Sequence, residues 1–557
     1  MNRFINGIVF FFLGLLFFAV PVSAALVIEA RKLPIRTEGG EIEGGVWNLW
    51  SNGRVGGHFR FAQKGVYKIS VRAYGSPAAS EWPEMAILID GLAEGTKTVD
   101  RKEAADYVFS VEIPAGGVEL SVAFSNDFLT ATEDRNLYLE RIMIEPPTET
   151  TDPTPISAKS MAEEYERREE AVLAKAKEDI EKYRKAKAAI RLTDSAGKPL
   201  AGAKIGVELA RHEFLFGCNI YEFDRFDDPR DNELYKKRFE QLFNYATTGF
   251  YWRWYEVERG KPDYAFTDKV TAWCRERGIE LKGHPLLWGD EGGIPTWSEG
   301  QPSPDAQRKR VFDIMRRYGG DIRFWEVVNE PTLHREPKID EPYRWAREAD
   351  PRGYTIVNEA FVLADGRPVF LRLLEGAVRR DVPFDGIGIQ AHEPKGMRFP
   401  LDRVQKILDR YAALGKQLHI TEFTPTSGGE KIVGSHKQGV WNEAAQAEYA
   451  EKFYRVCFAH PAMRAITWWD FSDRNSWRTG GGMLRADLTP KPVYLALKRL
   501  IREEWNTRLE GKTDARGKLE FAGYFGEYRA KIEFDGKTFE QTFRLTKEKP
   551  EIALRID

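Results

Sequence analysis

Apolar and polar positions alternate with a period of two across residues 26 to about 147. Runs such as Gly65-Val66-Tyr67-Lys68-Ile69-Ser70-Val71 and Val118-Glu119-Leu120-Ser121-Val122-Ala123-Phe124 are separated by Gly, Pro and Asp turns. That is the pattern of short, half-buried strands, and it predicts a β-sandwich over 26–147. The stretch from Pro146 to Pro155 is rich in Pro and Thr and reads as a linker. The period then changes. Ala158 to about Ala189 is dense in Glu, Lys, Arg and Ala and contains no Gly or Pro. It predicts a helix with many i,i+4 ion pairs. Its apolar stripe is thin, which favours a solvated spacer or a docking helix over a partner-binding coiled coil. Linker and helix together span 148–188.

Two strands around a Gly/Pro turn follow in 189–211, and the same theme returns in 506–557. Neither piece has enough strands to bury a core. Joined, they resemble one small Ig-like sandwich of the carboxypeptidase-regulatory type, interrupted by the segment between them. A strand pair plus a separate tail domain is the alternative. Between the pieces, 212–505 alternates β-branched apolar runs with amphipathic helical stretches. Candidate strands end near Cys218, Thr248, His284, Glu330, Glu359, Gln390, Glu422 and Asp470. Eight such strands with intervening helices predict an α/β fold, a (β/α)₈ TIM barrel. Two of the strand ends carry glutamates in telling contexts: Trp325-Glu326-Val327-Val328-Asn329-Glu330-Pro331 and Leu418-His419-Ile420-Thr421-Glu422-Phe423. Carboxylates at the C-terminal ends of two barrel strands suit a general acid and a nucleophile that together break a glycosidic bond.

Composition narrows this picture. A chain of 557 residues is too long for one core. A formal charge of −2 gives no support to nucleic-acid or polyanion binding. Aromatics make up 13%, with 15 Trp, which suits stacking on the apolar faces of sugar rings. Arg3, the apolar run Ile8 to Val20 and the small residues Val22-Ser23-Ala24 read as an export signal over 1–24. The run is short for a membrane span. The expectation is a secreted or periplasmic monomer with no membrane association after cleavage. Cys218, Cys274 and Cys457 show no metal-ligand spacing and are expected to be buried free thiols.

Six motifs occur in order: Trp254 with Glu256, Arg259-Gly260 and Phe266; Lys282-Gly283-His284-Pro285-Leu286-Leu287-Trp288; Trp325 to Glu330; Ile387-Gly388-Ile389-Gln390-Ala391-His392; Ile420-Thr421-Glu422; and Ile466 to Trp477, containing Trp468-Trp469-Asp470. On these, residues 212–505 resemble glycoside hydrolase family 10, whose best-known members are endo-β-1,4-xylanases. The resemblance implies that Glu330 protonates the leaving oxygen and later deprotonates water, which asks for a raised pKa. It implies that Glu422 attacks the anomeric carbon and stays ionised. Retention of configuration would place the two carboxyls roughly 5–5.5 Å apart. Asn329 would bind the sugar 2-hydroxyl, His392 would orient Glu422, and Gln390 would join the same network. His284 would bind the reacting sugar, Trp469 and Trp477 would form aromatic walls, and Trp288 is a further substrate-binding candidate. His334 and Arg335, just after Glu330, could line the aglycone side but read rather as solvated loop residues, and Asn358 and Glu359 as strand-end residues of either role. The chemistry needs no cofactor.

The departures matter for substrate. The family carries an acid and an Asn shortly before a Lys-Trp pair. Here the segment is Thr247-Thr248-Gly249-Phe250-Tyr251-Trp252-Arg253-Trp254. Read in register, Gly, Phe and Tyr replace the acid and amide, and Arg253 stands where Lys is usual, as a substrate-binding candidate. Phe423-Thr424 replaces the more common Leu-Asp after the nucleophile. Residues 26–147 resemble calcium-dependent xylan-binding carbohydrate modules. The resemblance makes Asn126, Asp127, Asp134 and Asn136 candidate Ca²⁺ ligands, with Glu29 and Glu140 as a structural pair. Together these readings predict a retaining hydrolase of internal β-1,4 bonds in xylan, with polysaccharide as its partner. The alternatives are the same mechanism on another β-glycan or with exo preference, and a non-catalytic polysaccharide-binding protein.

Overall fold

The computed structural model describes residues 25–37, 40–147, 153–334, 336–392 and 396–557. The export-signal segment 1–24, linker residues 148–152 and Arg335 lie outside them. The chain divides into two compact units, broadly residues up to 161 and from 162 onward.

The first unit is a two-sheet sandwich. One sheet runs Gly40–Glu43, Val46–Leu49, Asn136–Glu145, Gly65–Ser76 and Ala105–Ile113, with Leu26–Glu29 added beside Asn136–Glu145. The second sheet centres on Gly53–Phe61, Gly116–Phe124 and Glu84–Ile89. Alternation does the work expected of it: Ile69, Val71, Leu120, Val122, Leu137 and Leu139 point inward and are buried. Trp47 is also core, with the Arg36 guanidinium 4.8 Å from its ring.

In the second unit, Lys185–Thr193 pairs with Lys518–Tyr524 and with Glu551–Arg555, while Lys204–His212 pairs with Arg508–Lys512 and Gly526–Phe534. One small sandwich is thus assembled from both sides of the barrel sequence. Helix α1 (Ala158–Tyr183) docks rather than hanging free. Ala176 and Ile180 are buried, Glu169 meets Lys452, and Arg168 meets Asp402 at 3.4 Å.

The barrel strands are β1 (Leu215–Asn219), β2 (Tyr245–Gly249), β3 (Glu280–His284), β4 (Phe324–Asn329), β5 (Tyr354–Glu359), β6 (Gly386–Ile389), β7 (Gln417–Phe423) and β8 (Met463–Trp468). Neighbours are parallel, and β8 closes onto β1. Side-chain caps start several of the intervening helices. Asp228 accepts from Arg230 N, Ser303 from Ala306 N, and Asn442 from Ala444 N and Ala445 N. Each such cap stabilises its helix by about 1 kcal/mol. Leu215, Tyr245, Phe324, Ile356 and Ala465 pack together at the N-terminal end of the barrel. That plug leaves the C-terminal rim as the open face. The three cysteines are buried free thiols.

Candidate active site

The rim opens on a cavity of about 350 Å³. Glu330, Glu422, His284, Trp288, Asn329, Gln390, His392, Trp469 and Trp477 all line it. The backbone at Glu330 is left-handed, with φ 54°. For a non-glycine residue this conformation costs about 1–3 kcal/mol and survives only where neighbours impose it. Here its N–H donates to Asn358 O at 2.9 Å, and its carbonyl accepts from Leu333 N and His334 N. The turn swings the carboxyl over the cavity.

The two carboxylates share one hydrogen-bond chain. Gln390 Nε2 donates to Glu330 Oε1 at 2.7 Å and lies 3.4 Å from Asn329 Oδ1. Asn358 Nδ2 reaches Asn329 Oδ1 at 2.9 Å and Glu422 Oε1 at 2.7 Å. Gln390 therefore bonds to Glu330 rather than to Glu422. Trp288 Nε1 donates to Glu330 Oε2 at 2.9 Å, and His334 Nε2 lies 3.3 Å from the same oxygen. His334 is thus part of the site, contrary to the loop reading.

Glu422 accepts from His392, whose Nε2 is 2.8 Å from Oε2, while His392 Nδ1 is 3.0 Å from Thr424 Oγ1. Burial and the charge of Arg478 hold His392 well below the usual histidine range, so the ring is neutral. A neutral ring can donate to Glu422 only with its proton on Nε2. Nδ1 must then accept from the Thr424 hydroxyl. A hydroxyl, which can donate, fits that position; a carboxylate there would demand an imidazolium.

Beneath the pair lies a buried charge cluster that the sequence reading missed. Glu326 contacts both Lys282 Nζ and His284 Nδ1, and all three side chains are at most 2% exposed. With Nδ1 committed to Glu326, Nε2 of His284 is the ring atom left for a ligand. Burial acts upward on Glu326, but Lys282 and His284 outweigh it and hold the carboxyl at about 2. Burial also pushes Glu422 up, to about 7, with the charges of Glu326 and Glu330 adding to it and those of His284 and Lys282 opposing it. Glu422 is therefore fully ionised only above neutral pH. His284, Glu326 and Glu422 have metal-ligand spacing, but Lys282 already supplies the cation at that point. The sequence signal for the cluster was a charged residue inside an apolar strand. Lys282 and His284, two apart, share one face of β3.

Arg253 does not line the cavity. It pairs with Glu291 at 2.9 Å, and Glu291 does not line the cavity either. Phe250 is core, 5.6 Å from Trp325. Tyr251 lines the cavity instead, its ring 5.5 Å from His284 and 6.0 Å from Trp288. The short helix Trp252–Tyr255 begins directly after it and turns Arg253 away.

In the sandwich unit, Asn126 is tied to the backbone at both ends of its amide. Its Oδ1 accepts from Glu84 N at 2.6 Å and its Nδ2 donates to Trp82 O at 3.0 Å. Glu29 and Glu140 do not pair with each other; they meet Arg31 with Lys32, and Arg72, respectively. Asp127 Oδ1 and Asn136 Oδ1 are buried oxygens without a hydrogen-bond partner. Asn136 Nδ2 also donates to Asp134 Oδ2 at 2.8 Å. Orphaned buried oxygens beside a second carboxylate fit a hard, oxygen-seeking cation such as Ca²⁺.

A closed parallel barrel with paired carboxylates on its C-terminal rim defines the protein's class as a glycoside hydrolase. The comparison with known proteins makes the family specific. Residues 207–500 match glycosyl hydrolase family 10, and the chain belongs to that family. Residues 68–158 match a Ca-dependent, xylan-binding carbohydrate-binding module. The chain is similar to "Anti-sigma-I factor RsgI6" of Acetivibrio thermocellus, 27% identical over 65% of this chain and 47% of that protein. It is similar to "Endo-1,4-beta-xylanase 2" of Arabidopsis thaliana, 27% identical over 64% of this chain and 33% of that enzyme. It is also similar to "Endo-1,4-beta-xylanase B" of Thermotoga neapolitana, 28% identical over 50% of this chain and 86% of that enzyme. The chain thus spans less than half the length of the first two. Among solved structures, xylanase 10B of Thermotoga petrophila aligns with a TM-score of 0.45 and 25% identity, over 52% of this chain and 95% of that one.

Proposed function

We propose that the protein is an exported, retaining endo-β-1,4-xylanase carrying a calcium-dependent xylan-binding module. The observation that supports this best is that Glu330 and Glu422 open on one cavity and are linked through Gln390, Asn329 and Asn358. Family membership and two xylanase-named relatives favour xylan as substrate.

In the first half-reaction Glu422 attacks the anomeric carbon and the glycosidic C–O bond breaks, while Glu330 gives its proton to the departing oxygen. In the second, Glu330 takes a proton from water, whose oxygen displaces Glu422 and restores its carboxylate. Asn358 and His392 hold Glu422 in line by hydrogen bonds that cost little to release as its charge moves to the sugar. Trp288, Gln390 and His334 fix Glu330 against the leaving side. In the module, Asp127, Asp134 and Asn136 would hold Ca²⁺, which supplies a positive point for sugar hydroxyls. The leading segment 1–24 would direct export.

Replacing either acid tests the roles. Glu330→Ala and Glu422→Ala should each lower kcat on xylan by about 10²–10⁴-fold or more, with oligosaccharide binding retained. Near-full turnover by either variant would overturn the assignment. A second reading, exo action or another β-glycan backbone, is favoured by one observation: Tyr251 fills the place beside His284 where a polar contact to the glycone was expected.

A further inference from the structure

The wall of the cleft opposite the acid carries chemistry that bond cleavage does not use. In the closed barrel β8 lies four strands from β4 in either direction, with β1 beside it. Glu330 ends β4 and must stand on the leaving-group side, so the β8–β1 wall receives the sugar on the glycone side. Glu222 projects from the loop after β1, and Asp470 and Asn475 from the loop after β8; all three line the cavity.

Each acid is held by neutral donors. Glu222 accepts from Ser472 Oγ at 2.8 Å and from Asn475 Nδ2 at 3.1 Å. Asp470 accepts from the backbone N–H groups of Trp477 and Arg478 at 3.2 and 3.3 Å. Arg474, whose charge acts on Glu222, is itself bound to Asp231 at 2.7 Å. These bonds fix the side chains and leave each carboxylate with acceptor capacity to spare on residues that line the cavity, where sugar hydroxyls are suitable donors. Tyr221 and Tyr251, edge to face at 6.0 Å, supply the apolar side of the same wall. Burial pushes both carboxyls up, Asp470 to about 6, so Asp470 carries its charge above that pH.

Resting on the hydrolase reading above, we propose that Glu222, Asp470 and Asn475 form a glycone subsite that binds a neutral sugar through its hydroxyls and rejects a sugar bearing a carboxylate. The enzyme would then select undecorated backbone at that position. Two like charges facing an incoming carboxylate in a confined, partly dry site repel it far more than they would in water.

The test compares xylotetraose with the same oligosaccharide carrying an α-1,2-linked glucuronic acid on its glycone side, at pH 8. The wild type should prefer the neutral substrate in kcat/KM. Glu222→Gln keeps the shape and one acceptor oxygen, and should narrow that preference about tenfold. Asn475→Asp adds a third acid and should widen it. Fragments released from glucuronoxylan by the wild type, mapped by mass spectrometry, should carry no branch on the sugar that occupied this subsite; that readout needs no variant. Cleavage of both oligosaccharides with a ratio unmoved by either folded variant, or branched sugars mapped to the subsite, overturns the proposal alone. Cleavage of neither oligosaccharide overturns the hydrolase reading and the proposal with it.

Discussion

The buried carboxyl of Glu422 should destabilise the protein that carries it, and by an amount that depends on pH. Glu422 is 4% exposed, and its folded carboxyl is pushed from an ordinary 4.5 up to about 7. A carboxyl whose pKa is raised on folding binds its proton more tightly in the native state. Below pH 4.5 it is protonated in both states and contributes nothing. Between 4.5 and about 7 the unfolded chain ionises first, and stability falls steadily; above about 7 the loss is complete. At 1.36 kcal/mol per pH unit the full loss is about 3 kcal/mol. Glu422→Gln removes the charge. Its Oε1 can still accept from Asn358, and its amide can donate to His392 once that ring moves its proton to Nδ1, with the Thr424 hydroxyl turning to the Glu422 carbonyl 3.1 Å away. The variant should therefore be more stable than the wild type at pH 8, and nearly equal to it at pH 4. The second unit has about 400 residues, so its unfolding entropy is roughly 0.8 kcal/mol per kelvin. A gain of about 3 kcal/mol then raises Tm by about 4 °C. Calorimetry of both proteins at pH 4, 6 and 8 reads this directly. A Tm difference that stays flat with pH, or a variant that melts earlier at pH 8, would falsify the claim that burial sets the proton affinity of Glu422.

Other substitutions probe the surrounding network. Because Glu422 must be ionised to attack, kcat/KM should fall as pH drops through about 7; Asn358→Asp, which sets a second carboxylate at 2.7 Å, should move that limb to higher pH and lower the rate at pH 6 by about tenfold or more. Lys282→Met leaves Glu326 buried without its cation and should cost about 3–5 kcal/mol in urea unfolding; a loss below 1 kcal/mol would refute the pairing. Chelation with EDTA should abolish retention on insoluble xylan while sparing hydrolysis of soluble oligosaccharide. Asp127→Ala should mimic chelation, whereas Asn126→Ala should lower the module's Tm by removing two bonds to the backbone; unchanged retention in EDTA rules the metal out.

The barrel was legible because its strands are short β-branched runs between amphipathic helices, and the two reactive carboxylates because each interrupts such a run at its end. The cluster at Lys282, Glu326 and His284 was half visible. A charge within an apolar strand announces an inward-facing polar group, but not its partner on the neighbouring strand. The segment 247–254 was legible only in part, for a different reason. Its consecutive aromatic residues offer no hydrophobic period, so no pattern fixes which of them faces the cleft. A four-residue helix beginning at Trp252 decides it, sending Tyr251 in and Arg253 out. Asn126 looked like a ligand because oxygen-rich loops suit Ca²⁺. Its amide is tied to Trp82 and Glu84, which lead into a strand more than forty residues earlier in sequence. His334 stands four residues after Glu330, a spacing that brings side chains together only in a turned backbone. The left-handed residue at 330 provides that turn, and it could not be read from an Asn-Glu-Pro sequence.

The buried charges also explain how two neighbouring carboxylates come to behave differently. Glu326 and Glu422 are both fully enclosed, and burial alone would raise both. Lys282 lies on Glu326, and His284 turns Nδ1 to it while standing 3.9 Å from Glu422. Glu422 receives its closest bonds from neutral groups, Asn358 and His392. One acid is thereby fixed as a permanent anion at about 2, and the other is left near 7. A carboxylate neutralised by direct contact with a cation would have to surrender that contact on attacking carbon, and the lost attraction would add to the barrier. Giving the cation to Glu326 avoids this loss, while Glu326 orients His284 toward the sugar. If that division is what the site requires, exchanging the partners should fail in a specific way. Glu326→Gln releases Lys282, whose charge then falls on Glu422 instead. The Glu422 proton affinity should drop, the acid limb of the rate profile should move to lower pH, and the plateau rate should fall as well. A variant whose acid limb moved to lower pH without any loss at the plateau would show that the neutral surroundings of Glu422 do not matter for attack.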